Sequence, residues 1–386
     1  MATSSDSSRL RILHVVDSLE YGGLERVVTD LAIGQRGAGD DVRVFSIKDV
    51  GELAGELEAA GVPVTWGGKQ RGPSLRTIRR LRSAALDGPV DVVHAHNFMP
   101  SYYSAASLFL RRKGPALVAT CHDMGTRLNQ RKLRWMFRWS LSHTARVAMV
   151  GGQVYDRYMQ MNMVRPEVTI TVLNGIPVER FGVSDERRER ARDALVVPRS
   201  ALVIGTVGRQ VALKNQRLIL ELLPGLAQSH PELRVVLIGD GVLRGTLEKQ
   251  ASELRISERV HFAGERKDVA DLLPAFDVFV LPSLTEGLSI ALLEAAASGL
   301  AIVASRVGGN PEIIQDGTTG LLVAPADPVA LRDALLRLLD DSTLRLRFGV
   351  AARDWVQANA SLNAMRLAYD EFYRKALASQ LAAGRS

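Results

Sequence analysis

One cysteine, Cys121, stands in 386 residues. An internal disulfide needs two, so none closes within the chain, and such sparse use fits a reducing compartment. No apolar run reaches the length that crosses a bilayer. The first residues, Met1 to Ser8, are small and polar with an acid among them, which predicts a loose tail and not a signal peptide. The chain therefore reads as cytoplasmic, or as peripheral on the inner face of the plasma membrane. Metal-binding spacings are also missing: there is no HExxH and no paired CxxC, and no Asp-x-Asp to carry a metal-borne sugar diphosphate. Short-period repeats and low-complexity segments are absent. Acid is absent between Asp123 and Asp156, while Arg127, Arg131, Lys132, Arg134, Arg138 and Arg146 fall inside that window.

What remains is a globular composition, 46% hydrophobic and 24% charged, long enough for two or three domains. The net charge of +7 permits nucleic acid, anionic lipid or phosphorylated small molecules as partners. No nucleic-acid recognition module accompanies it, so no nucleic-acid partner is expected. Short apolar strands alternate with helical spacings from Arg11–Val16 through Val90–His94 and Ala116–Thr120 to Val168–Val172. The alternation breaks at the turn-rich Leu173–Phe181 and restarts at Ala201–Val207. It runs on to Leu321–Val323, and only helices follow from Pro328. Alternation of this kind predicts an α/β chain of two doubly wound, Rossmann-like parallel-sheet domains, residues 1–175 and 176–365, with C-terminal helices. Ligands of such sheets bind beyond the carboxyl ends of the strands.

The most informative stretch is Phe279 to Gly299. An apolar run ends at Pro282, polar residues follow, and a Leu- and Ala-rich helix, its periodic pattern beginning at Ser289 and its start placed at Gly287, carries one carboxylate, Glu294. Charge in a buried helix is costly without a partner, either an internal cation or a ligand. Glu286 precedes it by a distance that would span roughly 12 Å of helix axis. The N–H groups around Gly287, Leu288 and Ser289 would form an anion seat between the two carboxylates. That arrangement suits a nucleotide-sugar, with hydroxyls at both ends and phosphate between.

Other candidates fall at strand ends. Gly208-Arg209 and Lys214 leave a strand, and the two cations are either solvated or poised to clamp a diphosphate. Gly239, in Gly239-Asp-Gly241, and Arg266 sit at the next two exits, where a plain turn explains them as well as a ligand does. Gly22 and Gly23 open the first helix without completing a GxGxxG fingerprint, which disfavours a nicotinamide cofactor. His122 ends another strand, and His94, His96 and Asn97 follow one. Histidines so placed are either structural or ligand contacts, and Asn97 is a candidate for a sugar hydroxyl. Adjacent Cys121 and His122 make a poor metal pair. The helix Gln130–Leu141 interleaves Trp135, Phe137 and Trp139 with cations, which suits either core packing or an anionic membrane surface.

In this order and spacing, Gly22-Gly23-Leu-Glu-Arg, Thr120-Cys-His122-Asp, Asn174-Gly175-Ile, Gly208-Arg209 with Lys214, Glu286 through Glu294, and Val307-Gly308-Gly309-Asn310 resemble the group 4, glycogen-synthase-like glycosyltransferases, across nearly the whole chain. The resemblance implies the GT-B fold, with two domains facing across a cleft and residues 366–386 returning to the first. It implies retaining transfer of a hexose from a nucleotide-sugar, a UDP-sugar ahead of GDP-mannose, to a saccharide or lipid-linked saccharide in cell-surface polysaccharide synthesis. Arg209 and Lys214 would bind the diphosphate, Glu294 the ribose, and Glu286 the donor sugar. Backbone of Gly287 and Leu288 would touch sugar and phosphate, with His122 near the reacting carbon. No metal or other cofactor is implied. A nucleotide-sugar epimerase and a non-catalytic nucleotide-sugar-binding relative are the competing readings.

Overall fold

The computed structural model describes residues 9–20, 22–109, 114–122, 128 and 130–383. Asp123 and Arg127, both noted in the sequence, lie outside them. The chain divides into two compact units, Met1–Gly175 with Leu362–Ser386, and Ile176–Ser361.

The first unit holds seven strands: β1 (Arg11–Val16), β2 (Asp41–Ser46), β3 (Val64–Trp66), β4 (Val92–His96), β5 (Ala116–Cys121), β6 (Arg146–Met149) and β7 (Thr169–Thr171). All pairs are parallel, in the order β3-β2-β1-β4-β5-β6-β7. The crossovers are α1 (Gly23–Gly37), α2 (Ala54–Ala59), α3 (Leu75–Leu86), α4 (Phe98–Leu108), α5 (Arg131–Ser142) and α6 (Gly152–Gln160). The second unit holds β8 (Val203–Val207), β9 (Arg234–Ile238), β10 (Val260–Gly264), β11 (Val278–Leu281), β12 (Ala301–Ser305) and β13 (Leu321–Val323). These too are parallel, in the order β10-β9-β8-β11-β12-β13. Around them lie α7 (Asp185–Ala194), α8 (Arg217–Ser229), α9 (Arg244–Glu253), α10 (Val269–Leu272), α11 (Ile290–Ala297), α12 (Asn310–Ile313), α13 (Pro328–Asp340) and α14 (Ser342–Asn359). The last helix, α15 (Leu362–Ala383), belongs to the first unit. These are the two Rossmann-like parallel sheets and helical C-terminus of the GT-B fold.

Both sheets reverse their winding at one place, between β1 and β4 and between β8 and β11. Such a reversal leaves a crevice at the carboxyl ends of the two strands, because their crossovers leave on opposite faces. The β8–β11 ladder is short, pairing only Ile204 with Val278 and Gly205 with Phe279.

Strand alternation sorts the cores. In β11, Val278 and Val280 pack with α8, α9 and α13, while Phe279 and Leu281 pack with α7, α11 and α14. Both faces of that sheet are apolar, as covered parallel sheets require. In the first unit, Leu13, Val15, Val93, Ala95 and Leu117 pack on α3 and α4. The alternate positions carry His14, His94, His96 and Thr120, all buried.

One local expectation changes. His94 and His96 lie inside β4 and not after it, because the ladder to β5 continues through His96 opposite Thr120. α10 is one α turn, followed by a 3-10 turn, Leu273–Ala275, where Pro274 has no N–H to continue the helix.

Candidate active site

In the second unit the two exits at the reversal are joined by an ion pair. Lys214, after β8, places Nζ 2.6 Å from Glu286 Oε1, after β11. Ser283 Oγ donates to the same oxygen at 2.6 Å. The loops are tied by backbone as well: Leu284 N–H donates to Leu213 C=O at 2.8 Å, and Asn215, in a left-handed conformation at φ 52°, donates to Pro282 C=O at 3.3 Å. Glu286 keeps 8% side-chain exposure and Lys214 22%, so the pair sits in a recess of this unit and not on open surface. Arg209 is exposed, and its guanidinium makes no ion pair with a described residue. Its own C=O accepts from Gln216 Nε2, which pins the loop while the charge stays available.

Bare backbone lines the neighbouring exits. Gly239 lies so close to Gly208 that a Cβ would stand 2.2 Å from the Gly208 carbonyl oxygen, and its φ of +124° already disfavours a side chain. Gly239 N–H donates to Gly264 C=O at 2.7 Å, so three successive strand exits interlock without side chains. Arg266, left open between a turn and a ligand contact, forks onto Asp268, with Nε to Oδ1 at 2.8 Å and Nη2 to Oδ2 at 2.5 Å.

The helix start differs from the sequence expectation. α11 begins at Ile290 and not at Gly287, because Ser289 caps it by accepting from Leu292 N–H. Residues 286–289 are therefore turn, and the separation of Glu286 from Glu294 is not one of helix rise. Glu294, expected buried, is half-buried, and it is not an isolated charge. The turn at Glu286–Gly287 is held by the loop after β12: Gly309 N–H donates to Gly287 C=O at 2.8 Å, and a Cβ on Gly308 would stand 2.0 Å from the Glu286 carbonyl oxygen. Ser283 and this glycine pair escaped the sequence reading of the site. The dipeptide Gly308-Gly309 was the available signal.

In the first unit Gly22 caps α1, and the Glu25 carboxylate fills the space that a Cβ on Gly22 would take. Burial pushes the Glu25 carboxyl upward from its ordinary range. Gly23 is the first residue of α1. Asn97, after β4, is held at φ 70°, ψ −164°, a conformation that L-residues seldom adopt outside functional sites. His122 follows β5, and burial pushes its imidazole down to about 3, so the ring is neutral at pH 7. Four acceptor or ring atoms at the exits of β1, β4 and β5 are buried with no hydrogen-bond partner among the described residues: Asp17 Oδ1, His96 Nδ1, Asn97 Oδ1 and His122 Nε2. Buried polar atoms are nearly always partnered, so such a row is completed by water or by a polar ligand. Asp17 was not among the candidates from sequence, which left His96 open between a structural and a ligand-contact role.

Behind that row, between the sheet and α15, lies a hydrogen-bonded histidine–tyrosine network. His14 Nε2 is 2.7 Å from Gln35 Oε1, and His14 Nδ1 is 3.0 Å from His96 Nε2. Gln35 Nε2 donates to the Tyr373 hydroxyl at 3.3 Å, and that hydroxyl is 2.8 Å from His94 Nδ1. His94 Nε2 is 2.6 Å from Thr120 Oγ1, which is 3.0 Å from the Tyr369 hydroxyl. Burial lowers His14 to about 4 and holds His94 and His96 well below the ordinary imidazole value. His14, His94 and His96 each bring a ring nitrogen within 4.8 Å of the others, the geometry of a metal group. Every nitrogen of His14 and His94 already has a hydrogen-bond partner, however, and no carboxylate of a described residue joins the group. The donor set fits a network better than a cation.

α5 is amphipathic. Phe137, Ser140 and Leu141 are buried, while Arg131, Lys132, Trp135 and Arg138 are exposed, Trp135 at 68%. Trp139 packs on Phe109 and His143, so one tryptophan of the two faces outward. No helix among the described residues is long and apolar enough to cross a membrane.

Residues 21–180 match the family described as Glycosyltransferase Family 4, and residues 187–355 that described as Glycosyl transferases group 1. The putative glycosyltransferase EpsF of Bacillus subtilis is 30% identical over 318 residues, 78% of this chain and 80% of that protein. The D-inositol 3-phosphate glycosyltransferase of Corynebacterium kroppenstedtii is 39% identical over 199 residues, 49% of this chain but 44% of that protein, so less than half of that relative's length is matched. Among solved structures, Anabaena HepE in complex with UDP has a TM-score of 0.82 at 22% identity, covering 94% of this chain and 99% of that one.

Proposed function

The chain belongs to the glycosyltransferase family that these two descriptions define, and from that premise we propose that it transfers a hexose from a nucleoside-diphosphate sugar to a saccharide or lipid-linked saccharide, with retention at the anomeric carbon and without a metal or other cofactor. The observation that carries the reading is the Lys214–Glu286 pair at the β8–β11 reversal, beside the exposed Arg209 and the bare backbone of Gly208 and Gly239. A diphosphate leaving group gains negative charge as the glycosidic bond breaks. A lysine and an arginine at the strand exits stabilise that charge without reorganising. Glu286, fixed by Ser283 and Lys214, offers acceptor oxygens to sugar hydroxyls, and Glu294 does so for the ribose. Backbone of Gly287 and Leu288 meets sugar and phosphate. Neutral His122 hydrogen-bonds the sugar near the reacting carbon, and the departing phosphate takes the acceptor's proton on the same face. A UDP-sugar is the favoured donor, with GDP-mannose second, and the products build a surface polysaccharide. The exposed cations and Trp135 of α5 serve contact with an anionic membrane.

The test is a thermal-shift panel of UDP, GDP, ADP and their sugars, followed by donor turnover. The expected result is stabilisation by one nucleoside diphosphate at millimolar concentration and turnover of its sugar conjugate. Absence of both across the panel overturns the reading.

A further inference from the structure

The unpartnered nitrogen of His96 has a proton state that the network behind it determines. Gln35 Oε1 can only accept, so His14 Nε2, 2.7 Å away, carries the proton and donates. A neutral imidazole has one N–H, which leaves His14 Nδ1 as an acceptor. His96 Nε2, 3.0 Å from it, must then be the donor. His96 Nδ1 is left as a bare lone pair, in a residue 2% exposed, with no partner among the described residues. The other arm follows from the same amide orientation: Gln35 Nε2 donates to the Tyr373 hydroxyl, whose proton goes to His94 Nδ1, and His94 Nε2–H goes to Thr120. Turning the Gln35 amide over would reverse every proton on the His14 arm and present an N–H from His96 instead.

We propose that His96 is a ligand-binding residue of the first unit, whose Nδ1 lone pair accepts a hydrogen bond from a saccharide hydroxyl, and that Gln35, through His14, is the positioning residue that fixes this tautomer. This rests on the transferase reading for the identity of the ligand, but not for the proton state. The His96 ring lies 6.3 Å from that of His122, centroid to centroid, and is followed directly by Asn97. His96 Nδ1, His122 Nε2 and Asn97 Oδ1 thus offer unpartnered polar atoms at two neighbouring strand exits. A polyol, whose hydroxyls donate and accept in turn, fits such a set. A lone carboxylate or phosphate, which only accepts, is repelled by bare lone pairs at His96 and Asn97.

The first experiment needs no substrate. In full-length protein labelled with 15N-histidine, long-range proton–nitrogen correlations identify each tautomer, with His96 assigned by the signals lost in His96→Asn. The expected result is a protonated Nε2 and a pyridine-type Nδ1 on His96. A protonated Nδ1 overturns the proposal. Gln35→Leu should produce a mixture of the two tautomers, and an unchanged single tautomer removes Gln35 from its role.

The second experiment separates binding from structure. His96→Asn keeps an acceptor oxygen near the Nδ1 position and loses the His14 contact. His96→Gln keeps a donor to His14 and loses the acceptor. Using the nucleotide-sugar that the unchanged protein turns over, kcat/KM should fall about tenfold further in His96→Gln than in His96→Asn, the size of one hydrogen bond. Equal losses, or the reverse order, overturn the binding role. Failure of the unchanged protein on every nucleotide-sugar would instead count against the transferase reading, with the tautomer result still standing.

Discussion

The two units share one winding and differ in what they bury beside it. The second unit packs apolar side chains on both faces of its sheet, and its functional groups are charges and bare glycines kept at the strand exits. The first unit gives one face to apolar packing, and on the other it sets buried, neutral histidines, a threonine and two tyrosines among apolar residues such as Ile12, Val44 and Val118. The lesson is that a Rossmann-like sheet can hold a ligand by formal charge at its rim, or by an interior network whose proton directions reach the rim. Charge at the rim costs the fold little where it is paired, as Lys214 and Glu286 are, or open to water, as Arg209 is. An interior network must bond every group it does not leave to water or a ligand, since each unpaired buried polar group costs on the order of 1–3 kcal/mol.

Acid is the strongest way to separate the units. Burial lowers His14 to about 4 and His122 to about 3, against 6.5 in an unfolded chain. Below 6.5 the unfolded state takes up protons that the folded unit refuses, so stability present above 6.5 is lost as pH falls toward 4. His14 alone represents on the order of 3 kcal/mol. Hydrogen exchange between pH 7 and 4.5 should show the first unit opening before the second, and equal protection of both would erase the contrast. Lys214→Ala comes next, with an expected loss of about 100-fold in affinity for the nucleoside diphosphate that stabilises the unchanged protein. Calorimetric titration checks it, and unaltered affinity would move the charge site elsewhere. Tyr373→Phe removes both hydrogen bonds of one hydroxyl, and should cost about 1–3 kcal/mol in denaturant unfolding with little change in nucleotide affinity. The smallest effect is expected from Arg138→Gln with Trp135→Ala: weaker sedimentation with anionic vesicles, by about 1 kcal/mol per removed charge at low salt. Equal binding of the variant, or of neutral vesicles by the unchanged protein, would take α5 out of any membrane role.

Much of the second unit's site was legible because its signals are local. A strand ending at Pro282, a carboxylate in the following turn, and glycines at successive exits can be read one segment at a time. The helix start at Gly287 was misplaced because Ser289 is the better cap, and propensity alone does not choose between a glycine turn and a serine cap so close together. Arg266 looked available until Asp268, two residues on, proved to hold it. The first unit was less legible. His94 and His96 stand out only as polar residues at alternate positions of an apolar strand, and nothing nearby in sequence names Tyr369 or Tyr373, which come from the last helix.

Composition, periodicity and turn chemistry by themselves determined two parallel-sheet units and the strand exits at which polar residues gather, because hydrophobic alternation and glycine placement act over a few residues. Strand order was for the tertiary structure to decide. It set β8 against β11, so that Lys214 meets Glu286 across 72 positions of sequence, and folded α15 onto a sheet that begins some 350 residues earlier. Proton directions followed from that packing, since a tautomer is fixed only by the partners that the whole fold brings to each nitrogen.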